Sequence, residues 1–195
     1  MALTMTYFPK TEIGYCTFFG CTAKTERRDG SYNAIISMLQ NLMLSSGAIH
    51  PFIIPMVFFE VERRRLFDAA EDEGRFLNNE ILRIGDDTSA TTWLNNDGKI
   101  RDTINRFQKA SRIQNEIEAF RTELSKGLDH TDALASVISG PSAADVGARI
   151  AGMLRETINE AGSWSRYSKT VLDSTLLRTQ MVCGTGGWGE KSVLT

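Results

Sequence analysis

The residues best equipped for chemistry lie near the chain's end, in two acidic clusters and in a pair of cysteines. The stretch CGTGGWGEKS, Cys183 to Ser192, carries the glycines, lysine and hydroxyl of a phosphate-binding loop. Such a loop needs Gly, four residues, Gly, and then Lys and Ser or Thr directly, on a strand-to-helix turn whose amides hold the phosphates. Here Glu190 separates Gly189 from Lys191, and only Val193, Leu194 and Thr195 follow Ser192. A helical pattern, not a strand, precedes Cys183. Residues 182–195 therefore read as a flexible Gly-rich tail.

Asp86 and Asp87 lie in the loop Gly85–Ser89 and are the candidate metal ligands, with Mg²⁺ as the candidate ion, because hard cations take carboxylate oxygens. Loop aspartates also cap the helix that follows them, and the two readings stand side by side. Glu71-Asp72-Glu73 are consecutive on a helix, point in different directions and read as a solvated face. Cys16, Cys21 and Cys183 are an odd set without framework spacing, as expected of reduced thiols. Cys16 and Cys21 would make half of a zinc site, but the histidines, His50 and His130, are distant in the sequence. Neither a Gly-x-Ser-x-Gly elbow nor a His-Glu-x-x-His pair occurs. Acid–base chemistry would rest on carboxylates that nothing singles out. The reading is of a protein that is not an enzyme and holds no cofactor.

Glu60-Val-Glu-Arg-Arg-Arg65 sets three arginines among acids. Glu60 and Arg64 are spaced i, i+4, and Glu62 and Arg65 i, i+3, which makes ion pairs on a helix surface. A phosphate or anionic-lipid contact is the sharper alternative for these arginines. The formal net charge of −2 gives no general attraction to nucleic acid. The longest apolar run, Phe52 to Phe59, contains a proline and falls far short of the roughly 20 residues that span a bilayer. The N-terminus lacks the charged and apolar regions of a secretory signal. A soluble, cytoplasmic chain is the expectation.

The elements that must position these residues are helical. Residues 1–30 read as an irregular N-terminal arm, with the β-prone Tyr15–Cys21 either a strand or an extended segment. Residues 31–181 read as the helical domain. A first helix is predicted over 31–45. His50-Pro51 and Pro55 then punctuate the chain, and Pro55 suits the first turn of a helix running to Ile84. Its seam is Phe59, Glu62/Arg63, Leu66, Ala70, Glu73, Leu77, Ile81 and Ile84. A further helix starts near Thr91 or Thr92, is firm from Lys99 to Leu128, and carries the seam Ile100, Ile104, Phe107, Ala110, Ile113, Ile117, Phe120 and Leu124. A short helix is expected over 130–138, and a long one from Ser142 to Thr179 with the seam Val146, Ile150, Leu154, Ile158, Ala161, Trp164, Ser168, Val171, Leu172 and Leu176. Long helices with such seams must pack against other helices. The predicted fold is mainly α, an elongated antiparallel helical bundle with long helices.

Three stretches carry a family resemblance. HPFIIPMVFFEVERRRLF (His50–Phe67) and RIAGMLRETINEAGSWSRYSKTVLDSTLLRTQM (Arg149–Met181) resemble segments of filamentous-fungal CorA-like proteins, relatives of Mg²⁺ and Zn²⁺ transporters. The second ends in that group's Leu172-Asp173, Leu176, Thr179-Gln180 pattern, and Thr17–Cys21 fits the upstream position. The resemblance implies the cytoplasmic helical part of a metal-transport-related protein. It also implies two membrane spans and a Gly-x-Asn pore motif after the last helix, and this sequence has neither. Either the gene model is truncated, or the chain is a natural soluble derivative. Ion conduction by this chain alone is excluded on either reading. Self-association or a helical protein partner is expected, and a soluble scaffold unrelated to metal transport is the alternative.

Overall fold

The computed structural model describes residues 2–8, 13–19, 36–37, 39–40, 50–84, 97–135 and 141–185. Two strands, β1 (Ala2–Phe8) and β2 (Ile13–Phe19), are followed by three long helices, α1 (Ile53–Ile84), α2 (Asp97–Ala135) and α3 (Pro141–Thr185). The fold is mainly α, a bundle of helices packed on one another.

The described part of the N-terminal arm is a hairpin rather than irregular chain. β1 and β2 pair antiparallel from Ala2 opposite Phe19 to Phe8 opposite Ile13. Phe8 and Tyr15 meet edge-to-face across the pair at 6.1 Å. Of the helix predicted over 31–45, Ile36, Ser37, Leu39 and Gln40 are helical, and the remainder lies outside the described residues.

α1 starts within two residues of its predicted position, with Pro55 in its first turn, where a missing amide proton costs no hydrogen bond. α2 is longer than predicted. Described from Asp97, with the expected start near Thr91 or Thr92 outside the described residues, it continues to Ala135 and absorbs the described part, 130–135, of the short helix expected over 130–138. Gly127 does not break it, because the ring edges of Phe52 and Phe59 fill the place of a side chain: a Cβ there would lie 3.1–3.2 Å from them. α3 begins at Pro141, which needs no amide donor there, and runs to Thr185.

The chain forms two compact units, and each helix contributes one stretch to each. The first comprises Met1–Arg65 and Ala119–Ala161, the second Leu66–Glu118 and Gly162–Thr195. In the first, Phe59 packs edge-on against Phe120 at 6.1 Å and against Phe52 at 6.3 Å. Val57, Leu124 and Leu154 have at most 1% of their surface exposed. Full burial of a leucine contributes about 2 kcal/mol. Gly127 lies by Phe52 and Phe59 while Phe120 lies by Phe59, so α2 runs antiparallel to α1 here.

In the second unit, Leu66, Leu77 and Ile117 are fully buried, and Leu77, Ala110, Val171 and Leu172 form a cluster flanked by Phe76 and Phe107. The Phe67 ring stacks on Trp164 at 5.6 Å, and Trp164 meets Tyr167 edge-on at 5.5 Å. Tyr167 closes over Gly74, where a Cβ would come within 2.8 Å of its ring. α2 and α3 are antiparallel here: Ser165 donates to Glu118, while Val171 and Leu172 reach Ala110. The buried threonines Thr103, Thr131, Thr157 and Thr175 each donate to the carbonyl four residues earlier in their own helix. Their hydroxyls are thus satisfied without a partner on another helix.

Candidate functional site

Glu73 is the most deeply buried charged side chain described, with 1% of its surface exposed. Its solvated-face reading is therefore corrected. The periodicity of α1 places it between Ala70 and Leu77 on the inward seam, and two partly exposed cations from α2 cover it from the solvent side. Arg106 donates from Nη1 to both carboxylate oxygens at 3.1 Å, and Lys109 Nζ donates to Oε1 at 2.6 Å. The Arg106 guanidinium also lies 4.7 Å over the Phe76 ring. A carboxylate held by two cations is committed to its partners, and the arrangement is a lock between helices rather than an acid–base centre. Glu71, two residues away, is exposed and pairs with Arg75 at 2.5 Å.

A second network lies in the first unit. Arg63 donates from Nε to Glu60 at 2.7 Å and from Nη1 to both oxygens of Glu160, at 3.0 and 3.1 Å, tying α1 to α3. Arg64 reaches Glu60 at 2.7 Å and Arg65 reaches Glu62 at 2.8 Å, the two spacings expected from sequence. Partial burial raises the Glu60 carboxyl, but hydrogen bonds from Arg63 and Arg64 outweigh it and hold the group below its ordinary value. Hydrogen bonding to Glu60 pushes Arg63 further towards its charged form. These guanidiniums are occupied by the chain's own carboxylates.

His50 is 2% exposed and caps α1. The Phe52 amide donates to its Nδ1 at 3.1 Å, and the Ile53 amide donates to its carbonyl at 3.0 Å. On α3, Gly147 leaves the imidazole room: a Cβ there would lie 3.3 Å from Nε2. An accepting Nδ1 requires the neutral ring, and burial lowers the affinity of His50 for a proton. His130, by contrast, is exposed.

Asp86 and Asp87, the metal ligands expected from sequence, lie outside the described residues, as do Cys21 and residues 186–195; Cys183 and the first part of the expected tail, 182–185, belong instead to the last turn of α3. Cys16 is a free, half-buried thiol whose pKa burial pushes up. Among the described residues, no group of three or more His, Cys, Asp or Glu side chains is placed to hold a metal ion. Among them also, no helix is long and apolar enough to cross a membrane.

The feature that sequence reasoning missed is an outward apolar ridge. Ile104 and Leu176, both assigned to inward seams, are 52% and 48% exposed. Leu177 and Met181 on α3 are 60% and 61% exposed. No local signal marked it, since Leu176 continues the spacing of a seam in which the neighbours Val171 and Leu172 are both buried. A search of protein-family models, curated proteins and solved structures found no match to this chain.

Proposed function

We propose that this chain is a helical assembly module, acting by association with another helical surface rather than by converting a substrate. The observation that carries the reading is the exposed apolar ridge Leu176, Leu177 and Met181 at the end of α3. Apolar side chains adjacent on a surface mark an interaction site more often than isolated ones do. Within this reading, the resemblance of His50–Phe67 and Arg149–Met181 to CorA-like proteins makes the chain akin to the cytoplasmic helical part of a metal-transport-related protein. A scaffold unrelated to metal transport is the second reading. It is favoured by Glu60 and Glu73, whose carboxylates are taken by the chain's own arginines and lysine.

Size-exclusion chromatography with light scattering, with and without Mg²⁺, tests the proposal. A mass above that of one chain supports assembly. Dependence of that mass on Mg²⁺ supports the CorA-like reading, and indifference supports the scaffold. A monomer at every concentration, with and without the ion, overturns assembly. Transcript reads across the codons for Gln180 to Cys183 test the truncation reading directly.

A further inference from the structure

We infer that the end of α3 pairs with α3 of a second copy of this chain, antiparallel, about a two-fold axis crossing between Leu176 and Leu177; the inference rests on the assembly reading above. The inward stripe of α3 ends at Thr175, which is 3% exposed. From Leu176 to Met181 every side chain is exposed except that of Thr179, which is half-buried. The helix nevertheless continues to Thr185. A helical end gains most of its stability from packing, and among the described residues these turns have little.

The spacing of the outward residues selects the partner. Asp173–Leu176 and Leu177–Gln180 are spaced i, i+3, Asp173–Leu177 and Leu176–Gln180 i, i+4, so the four share one face. Asp173 and Gln180 stand at equal distances on either side of the leucine pair. An antiparallel two-fold crossing at that pair therefore sets Leu176 of each copy level with Leu177 of the other. It also sets the Asp173 carboxylate level with the Gln180 amide of the other copy, an acceptor facing a donor at both ends of the contact. Both side chains are exposed, and neither has a hydrogen-bonding or ionic partner among the described residues. A parallel pairing would set Asp173 against Asp173, with like charges opposed. The contact is small, well below the roughly 1,200 Å² of a standard interface, so a concentration-dependent dimer is expected.

Sedimentation or light scattering on the whole chain over a concentration series tests the inference, with circular dichroism confirming unchanged helicity in each variant. The wild type should rise from one chain towards two. Leu176→Glu/Leu177→Glu, at exposed positions, should weaken dimerisation at least about 10-fold. Gln180→Lys is the register test: it should tighten an antiparallel dimer by setting a cation against Asp173, and would weaken a parallel one by opposing Lys to Lys. Assembly that survives the double glutamate variant overturns this surface while leaving the assembly reading intact. Weakening by Gln180→Lys, or a closed oligomer larger than two, overturns the antiparallel pairing. A wild type that stays monomeric overturns both.

Discussion

The two units solve one problem, holding three helix stretches together, with different materials. The first relies on aromatic packing, with Phe52, Phe59 and Phe120 in contact, and keeps its ion network half-exposed. The second buries the acid of its ion network, with Glu73 at 1% exposure beneath the more exposed Arg106 and Lys109, and leaves Leu176 and Leu177 side by side outside. The difference teaches that charge and greasiness do not by themselves decide which side of a helix faces in. Partners do. Glu73 is inside because α2 brings it two cations, and Leu177 is outside because no described helix covers it.

Substitutions can break that comparison, and the largest effect belongs to the plain core. Leu154→Ala removes a fully buried side chain from the first unit and should cost about 3 kcal/mol in denaturant unfolding. Glu73→Ala should cost about 2 kcal/mol, less than loss of a fully buried pair, because Arg106 and Lys109 are 39% and 60% exposed and recover solvent. If Glu73→Leu matches or exceeds wild-type stability, the lock serves register rather than stability. Gly127→Ala should cost about 1 kcal/mol, because the new methyl meets two phenyl rings of the first unit and overpacking outweighs the gain in helix propensity. Arg64→Ala, removing an exposed i, i+4 partner, should change stability by less than about 0.5 kcal/mol.

A pH titration sharpens the comparison from the side of the first unit. The folded chain binds a proton at His50 less readily than the unfolded chain, whose imidazole titrates near pH 6.5. Stability from His50 is therefore complete above that pH and is lost as pH falls below it, because protonation of Nδ1 would abolish the acceptor for the Phe52 amide. Asp145 and Arg149, which flank Gly147 on α3, are exposed, and burial is the cause of the shift. His50→Asn keeps a capping acceptor and should flatten the dependence of unfolding free energy on pH between about 7 and 5. An unchanged slope would remove His50 as its source.

The three long helices were readable from sequence because Pro55 and Pro141 mark two of the starts and the seams step by threes and fours, although α2 and α3 ran past their expected ends at Leu128 and Thr179. The pairs Glu60–Arg64 and Glu62–Arg65 were readable for the same reason, since both partners lie within a single turn of helix. Glu73 was not. Its neighbours Glu71 and Asp72 suggest a solvated cluster, and the cations that draw it inward lie 33 and 36 residues later. The His50 cap was hidden similarly, since the ring depends on space left by Gly147. The seams of α2 and α3 wrongly included Ile104 and Leu176, because periodicity records which residues align on a helix and not whether a neighbour reaches them.

Because each unit is assembled from separated stretches of sequence, neither is inherited by a contiguous piece of the gene. A fragment holding all of Met1–Arg65 and Ala119–Ala161 necessarily carries Leu66–Glu118 as well, and so includes much of the other unit without its α3 portion. Splicing, truncation or recombination anywhere between Leu66 and Ala161 therefore alters both at once, and natural selection meets that stretch as one heritable object.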